Sequence, residues 1–359
     1  MKKIVALDGL RGLSILLVIL FHYGYLSVGW IGVQVFFVLS GYLISSILMR
    51  ETKYPLGFYL KRFYWRRVWR IFPLYFSFLI FLTAAMAFTG FSPAFRQQWL
   101  SLFTYTFNFA RVFPHFIYPF YWAHMWSLSV EEQFYLVWPL AVFITPAKYW
   151  RRGCLLIIIL APMIRGFTPF LFSHFSTDPD YLGNAVYNLT PCQMDAFAMG
   201  AYVATLSLAG RKNDLRNFLL VFGFTLATGV ANLLAMSRGH QVDLRSFGFA
   251  INSIANYQHV WGFTLLDLSS ATCILAVVNG NWLTRIFEGR LICYLGRISY
   301  GMYVFHQPML WFLRNHNLLR QGVIYFAFYF LVLLAVSHFS FEYFETWFLN
   351  LKEKAFKAG

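Results

Sequence analysis

The chain of 359 residues is 59% hydrophobic and 21% aromatic, with only 12% of its residues charged. That balance excludes an ordinary soluble domain and indicates a polytopic membrane protein. A formal charge of +15 would suit nucleic acid, but the basic residues alternate with apolar runs instead of forming one patch, and no recognition motif accompanies them.

Runs of about 20 mainly apolar residues predict ten transmembrane helices, at 4–24, 30–49, 71–90, 124–144, 153–172, 191–209, 217–236, 259–280, 297–313 and 323–346. The expected fold is an all-α membrane bundle in one domain over 1–359. With a cytoplasmic amino terminus, 22 Lys and Arg lie on that side: Lys2, Lys3, Arg11, the seven from Arg50 to Arg70, Lys148, Arg151, Arg152, Arg211, Lys212, Arg216, Arg285, Arg290, Arg297, Lys352, Lys354 and Lys357. The other side or the outer helix halves receive 7, namely Arg96, Arg111, Arg165, Arg238, Arg245, Arg314 and Arg320. The positive-inside rule then sets both termini in the cytoplasm. Cys154, Cys192, Cys273 and Cys293 stand singly and read as buried thiols. No metal-ligand spacing and no internal repeat is visible.

The first run carries Arg11 and His22, eleven residues apart. That is close to three helical turns, so both side chains share a face, ~16 Å apart along the axis. Arg11 then sits near a membrane surface and His22 well inside, and an ionisable group at that depth is a functional candidate by default. Asp8, three residues before Arg11, can share its charge. The start also looks like a secretory signal, but Asp8, Arg11 and His22 within the core and the lack of a small-x-small site argue for a retained span. In the second run, Ser40-Gly41 follows Phe36-Phe37-Val38-Leu39, where small residues permit close backbone approach. Simple helix packing explains the pair, and packing against helix one would fix His22.

Between spans two and three, Lys61 to Pro73 interleaves four arginines with aromatics. Arg66 and Arg70 are i, i+4 and Arg67 and Arg70 are i, i+3, so their guanidinium groups can converge on a phosphate. Topology control with lipid-headgroup binding explains the same cluster. Span four places Glu131 and Glu132 about two turns below its outer end, and span six places Asp195 one turn below Pro191. Isolated carboxylates at that depth are costly unless paired, and a carboxylate that orients a neutral imidazole is a standard general-base arrangement. Span nine aligns Ser299, Tyr303 and His306 on one face at i, i+4, i+7, with Tyr300 alongside. His306 reads equally as a second acid-base group or as a structural partner of the tyrosines or Glu342. Together these form an axis: a basic cytoplasmic mouth, a polar stripe, and His with carboxylates toward the far side. A long phosphorylated donor such as coenzyme A fits that axis.

In these motifs the chain resembles the membrane-bound acyltransferase 3 family. The signatures are Asp8-Gly-Leu-Arg11-Gly, Arg11-x10-His22, Phe36-Phe-Val-Leu-Ser-Gly41, Arg67-x-x-Arg70, Trp126-Ser-Leu-Ser-Val-Glu-Glu-Gln-Phe-Tyr135 and Ser299-Tyr-Gly-Met-Tyr-Val-Phe-His306, in family order from end to end. The resemblance implies a ten-helix enzyme of a bacterial inner membrane that moves an acyl group, commonly acetyl, from cytoplasmic acyl-CoA to a hydroxyl of an envelope glycan or lipid-linked saccharide. It implies that Arg11 and His22 form the essential site, with His22 as base, and that Arg67 and Arg70 assist CoA binding. Relatives often append a secreted hydrolase-like domain, and the short Lys-rich tail here sets the expectation of a chain without one. One departure stands out: relatives usually carry arginine where this chain has Gln193 before Met194-Asp195, which leaves open how Asp195 is paired. The rival reading is a proton-coupled transporter or flippase with a His, Glu and Asp relay. Aromatic residues within 113–126 suit sugar stacking or an interfacial belt, the latter accounting for most of them.

Overall fold

A computed structural model describes residues 4–206, 213–237 and 242–357, with side chains described through residue 351. Lys2, Lys3, Arg211, Lys212, Arg238 and the end of the expected 191–209 span lie outside the described residues, as do the side chains of Lys352, Lys354 and Lys357. Every regular element among the described residues is helical. Ten helices correspond to the ten apolar runs: α1 Val5–Tyr23, α2 Ile31–Glu51, α3 Leu56–Thr89, α4 Met125–Ile144, α5 Trp150–Phe172, α6 Met194–Leu206, α7 Asp214–Ser237, α8 Gln258–Asn279, α9 Ser299–Asn315 and α10 Val323–Phe339.

Seven segments are long and apolar enough to cross a bilayer by length and composition: Val5–Tyr23, Ser27–Glu51, Leu56–Thr89, Ala147–Phe172, Asp214–Ser237, Ala255–Asn279 and Val323–Leu351. Two of the other three expected spans are helices that fall short for local reasons. Helix α4 has 20 residues, but Glu131, Glu132 and Gln133 dilute its hydropathy, and α9 has 17 with its polar stripe and an internal Pro308. Helix α6 is described over 13 residues, and the end of its expected span lies outside the described residues. A further difference concerns α3. The basic stretch expected as a connection is part of one 34-residue helix, with Pro73 inside it. No glycine or second proline interrupts residues 58–72, and at 1.5 Å per residue the helix is ~51 Å long, more than a ~30 Å hydrocarbon core. Its basic turns therefore extend the span instead of looping away from it.

The helices form two compact units, Met1–Arg50 with Ile144–Arg297, and Glu51–Phe143 with Ile298–Gly359. In the first unit, α1 approaches the short helices Trp282–Phe287 and Arg290–Arg297 backbone to backbone. A Cβ on Gly9 would lie 1.9 Å from the Phe287 carbonyl oxygen, one on Gly12 2.0 Å from that of Ile292, and one on Gly296 1.7 Å from that of Asp8. The glycines flanking Arg11 thus let α1 touch both helices. Helices α2 and α6 repeat the device, since a Cβ on Gly41 would meet Phe197 O at 2.1 Å and one on Gly200 would meet Val38 O at 2.0 Å. Gly41 therefore packs on α6, whereas Gly32, whose Cβ would sit 2.3 Å from Ser14 O, is the α2 glycine that meets helix one. Gly12→Ala is expected to lower stability by about 1–3 kcal/mol through overpacking. Gly57→Ala, with nothing within 4 Å of the new Cβ, should instead be neutral or gain up to about 1 kcal/mol. Thermal unfolding in detergent compares the two.

Around this unit, Leu156, Ile159, Met163, Phe167 and Phe170 of α5 and Leu220, Phe224 and Leu234 of α7 are exposed. The three-to-four-residue spacing on α5 gives a continuous apolar face suited to hydrocarbon, and the α7 residues give a second apolar surface. In the second unit, buried tyrosine hydroxyls tie α3 to its neighbours. Tyr59 donates to Pro139 O of α4 at 2.9 Å, Tyr300 of α9 to Ile71 O at 2.7 Å, and Tyr75 to Leu102 O at 2.8 Å. Each hydroxyl finds a carbonyl that keeps its burial affordable.

Candidate active site

Arg11 donates to Asp8 across 3.1 Å, with Asp8 buried and Arg11 half-buried. The i, i+3 spacing brings them together, and the contact of Asp8 with Gly296 fixes the backbone beneath. Three turns on, the half-buried His22 places Nδ1 2.9 Å from the Val18 carbonyl oxygen. A backbone carbonyl only accepts, so Nδ1 carries the proton, and in the neutral ring Nε2 holds the lone pair. That tautomer is the one a base requires. The helix itself supplies this bond to Nδ1.

Helix α1 ends directly after His22. Gly24 adopts φ +96°, and its N–H reaches Leu20 O and Phe21 O, the left-handed stop that favours glycine. A clip then holds the turn: Ser27 donates to Asp243, while Arg245 reaches Asp243 at 2.9 Å and Gly24 O at 2.8 Å. The Arg245 and Ser27 hydrogen bonds pull the Asp243 carboxyl from 3.8 down to about 2. Because the folded value lies below the unfolded one, the clip's contribution is complete above about pH 4 and lost as pH falls through 2. Wild type and Asp243→Asn should thus differ in unfolding temperature at pH 5–7 and converge toward pH 2, with a small difference because the pair is exposed.

In the second unit, α4 presents Glu131 to the Tyr135 hydroxyl, which donates to it. The Arg67 guanidinium lies 5.4 Å from the Tyr135 ring centre and 5.8 Å from that of Phe63. Cation–π contact therefore links the arginine helix to the carboxylate helix through one tyrosine. Glu132 is half-buried beside Glu131, and Gln133 donates to Tyr105 O and Asn108 at 2.7 and 2.8 Å. The three arginines expected to converge are divided. Arg66 turns to Glu51 at 3.3 Å, where Arg62 joins it at 3.4 Å, Arg67 stacks on aromatics, and Arg70 is within electrostatic reach of Glu345. Glu51, fifteen residues before Arg66, is the competing anion that periodicity did not weigh.

The α9 stripe is packed and hydrogen-bonded. Ser299 is buried, and Tyr303 donates to His124 O at 2.9 Å while pairing with the Ser127 hydroxyl. His306, fully buried, bonds Tyr303 O through Nδ1 at 2.6 Å, and Tyr329 donates to His306 O at 3.0 Å. The tyrosines are thus its observed partners, and Glu342 is exposed. His124 joins them: its ring nitrogens lie 3.0 Å from Gln307 Oε1 and 3.2 Å from Val304 O. Sequence reading passed over His124 because it precedes its helix in an aromatic segment.

The first unit contains a second charged cluster. Arg165, fully buried in α5, grips Asp195 with two 2.7 Å hydrogen bonds and also donates to Cys192 O at 2.6 Å and to Thr264. Thr264 donates in turn to Asp195 at 2.8 Å. Gln193 accepts from Gln34 at 2.8 Å and donates to Tyr187 O at 2.8 Å, so it completes an amide chain and Asp195 takes its cation from another helix. Asp267 of α8 is fully buried, and among the described residues neither carboxylate oxygen has a hydrogen-bond partner. Sequence reading singled out neither Arg165 nor Asp267, although charge in the middle of an apolar run was the available signal. Ser40 is half-buried beside Gly41.

Several helical segments of membrane-crossing length, with an arginine paired to an acid and a histidine in the last turn of the same helix, define the class as an integral membrane protein. Residues 4–340 match the acyltransferase-domain family, and the chain belongs to this acyltransferase 3 family. It is 27% identical over 369 residues to a Staphylococcus aureus (strain COL) protein named "Putative O-acetyltransferase", covering 96% of this chain and 57% of that relative. It is 24% identical over 373 residues to the O-acetyltransferase OatA of Staphylococcus aureus (strain NCTC 8325), covering 99% of this chain and 58% of the relative. The chain thus spans a little over half the length of these relatives. No solved structure matches it significantly.

Proposed function

We propose that the protein transfers an acyl group, acetyl in the first instance, from acyl-CoA supplied on the cytoplasmic side to a hydroxyl of an envelope saccharide or lipid-linked glycan. The setting is a bacterial inner membrane crossed ten times, with both termini in the cytoplasm. One observation carries the reading: the Nδ1–H of His22 is committed to Val18 O, which leaves Nε2 as the basic nitrogen on the helix that holds the Arg11–Asp8 pair. In the reaction, Nε2 takes the acceptor's hydroxyl proton as that oxygen attacks the thioester carbonyl. The C–S bond then breaks, and the imidazolium returns the proton to the CoA thiolate. Glu131 and Glu132 are the further acid-base groups. Arg67 and Arg70 hold the donor's phosphates, which suit guanidinium geometry, and Arg66 contributes the more weakly for its bond to Glu51. Asp8 sets Arg11, and Ser40, Asp195, Ser299, Tyr303 and His306 have supporting roles within their own units.

Incubation of purified protein with acetyl-CoA and candidate glycans tests the reading through thiol release coupled to ester formation on the glycan. No thiol release with any hydroxylated acceptor would overturn it. Arg67→Gln should raise KM for the donor about 10- to 100-fold, the worth of one charge-assisted hydrogen bond, while kcat changes little. A fall in kcat at unchanged KM would instead assign Arg67 to the chemical step. A labelled acyl-protein trapped without acceptor would point to a transient acyl-histidine.

A further inference from the structure

A cavity of about 440 Å³ opens in the first unit where α2 and α6 end and α5 begins. Its wall carries Arg50, Lys148 and Arg151 beside Met49, Trp150 and Thr205, and among the described residues no acidic residue lines it. Three cations without a facing carboxylate repel one another unless an anion joins them. Arg151 is held in place: its Nε reaches Thr205 Oγ1 at 3.3 Å and its Nη2 reaches Thr205 O at 3.0 Å. Those bonds occupy a carbonyl at the end of α6 that would otherwise oppose an anion, and they leave Nη1 outside the pairing. The first turn of α5 adds the positive end of a 23-residue helix. Arg50 and Lys148 are exposed at the rim, while Met49 and the Trp150 ring give an apolar flank. Trp150 is fixed by a 2.8 Å bond from its indole N–H to Thr145 O. A basic rim above an apolar flank fits a phosphate attached to a less polar body.

We propose that this cavity binds a phosphate group through Arg50, Lys148 and Arg151, with the body of the ligand against Met49 and Trp150. Two molecules present that chemistry at a membrane surface: an anionic phospholipid headgroup, and the phosphorylated adenosine of an acyl-CoA. The second source rests on the function proposed above; the first does not, and the test reads binding, not turnover.

Full-length protein in nanodiscs of phosphatidylcholine containing a minor fraction of phosphatidylglycerol is washed and its retained lipid measured by native mass spectrometry. In parallel it is titrated with 3′,5′-adenosine diphosphate. The variant is Arg50→Gln with Lys148→Gln, two exposed side chains whose loss spares the Arg151–Thr205 bonds, and Arg285→Gln with Arg290→Gln is the equal-charge control. At about 1 kcal/mol per surface cation, roughly five-fold each, the double variant should bind about 30-fold more weakly, with the control unchanged. Loss confined to phosphatidylglycerol identifies a lipid headgroup, and loss confined to the nucleotide identifies the donor and moves its phosphates from Arg67 and Arg70 to this cavity. Binding of neither probe, or equal losses in the variant and the control, would overturn the site, and correct unfolding temperatures for all variants exclude misfolding as the cause.

Discussion

Replacing His22 with Gln lowers acetyl transfer by ~10²- to 10⁴-fold, the usual worth of a positioned general base. Gln retains a side-chain N–H for the Val18 carbonyl, so the helix keeps its bond, but nothing at the Nε2 position can accept a proton. The loss should therefore fall on kcat, with KM for acetyl-CoA nearly unchanged. The discriminating control is Arg11→Lys, which keeps charge near Asp8 but not the planar fork and should cost less than the His22 change. Transfer by His22→Gln within a few-fold of wild type, at equal expression and unfolding temperature, would remove His22 from the chemistry. A burst of thiol release without acceptor in wild type, absent in the variant, would instead make His22 the nucleophile.

The sequence disclosed helices wherever apolar length alone decides, as in α5, α7 and α10, whose outward faces are apolar. It was less informative where function enters. Glu131-Glu132-Gln133 and the stripe Ser299, Tyr303, His306 lower the very hydropathy that marks a span, and the missing break before Pro73 joined the basic stretch to α3. Within the site, the Asp8–Arg11 pair was legible because i, i+3 spacing is a local rule. The bond from His22 to Val18 depends on a rotamer, and the turn of Arg66 toward Glu51 depends on a competitor fifteen residues earlier. Long-range pairs left only half a trace: Arg165 marks itself as a charge in an apolar run, but its partner Asp195 is thirty residues on. Position 193 shows the limit of pattern reading most sharply. A missing guanidinium suggested a differently paired Asp195, and the answer, a guanidinium from α5, has no signature beside Asp195.

That buried pair gives the largest expected effect on stability. Arg165 and Asp195 are both fully buried, and Asp267, also fully buried, lies within electrostatic reach of Arg165. Arg165→Met removes the cation and leaves Asp195 in a low-dielectric interior, which should cost about 3–5 kcal/mol, whereas removing both partners of such a pair costs far less. The double change Arg165→Met with Asp195→Leu should therefore be more stable than Arg165→Met alone, a non-additivity that a double-mutant cycle reads directly. Asp195→Leu alone completes the cycle. Unfolding in detergent measures all four proteins, and an Arg165→Met protein within about 1 kcal/mol of wild type would show that the cluster stabilises nothing, since breaking a truly buried pair cannot be that mild.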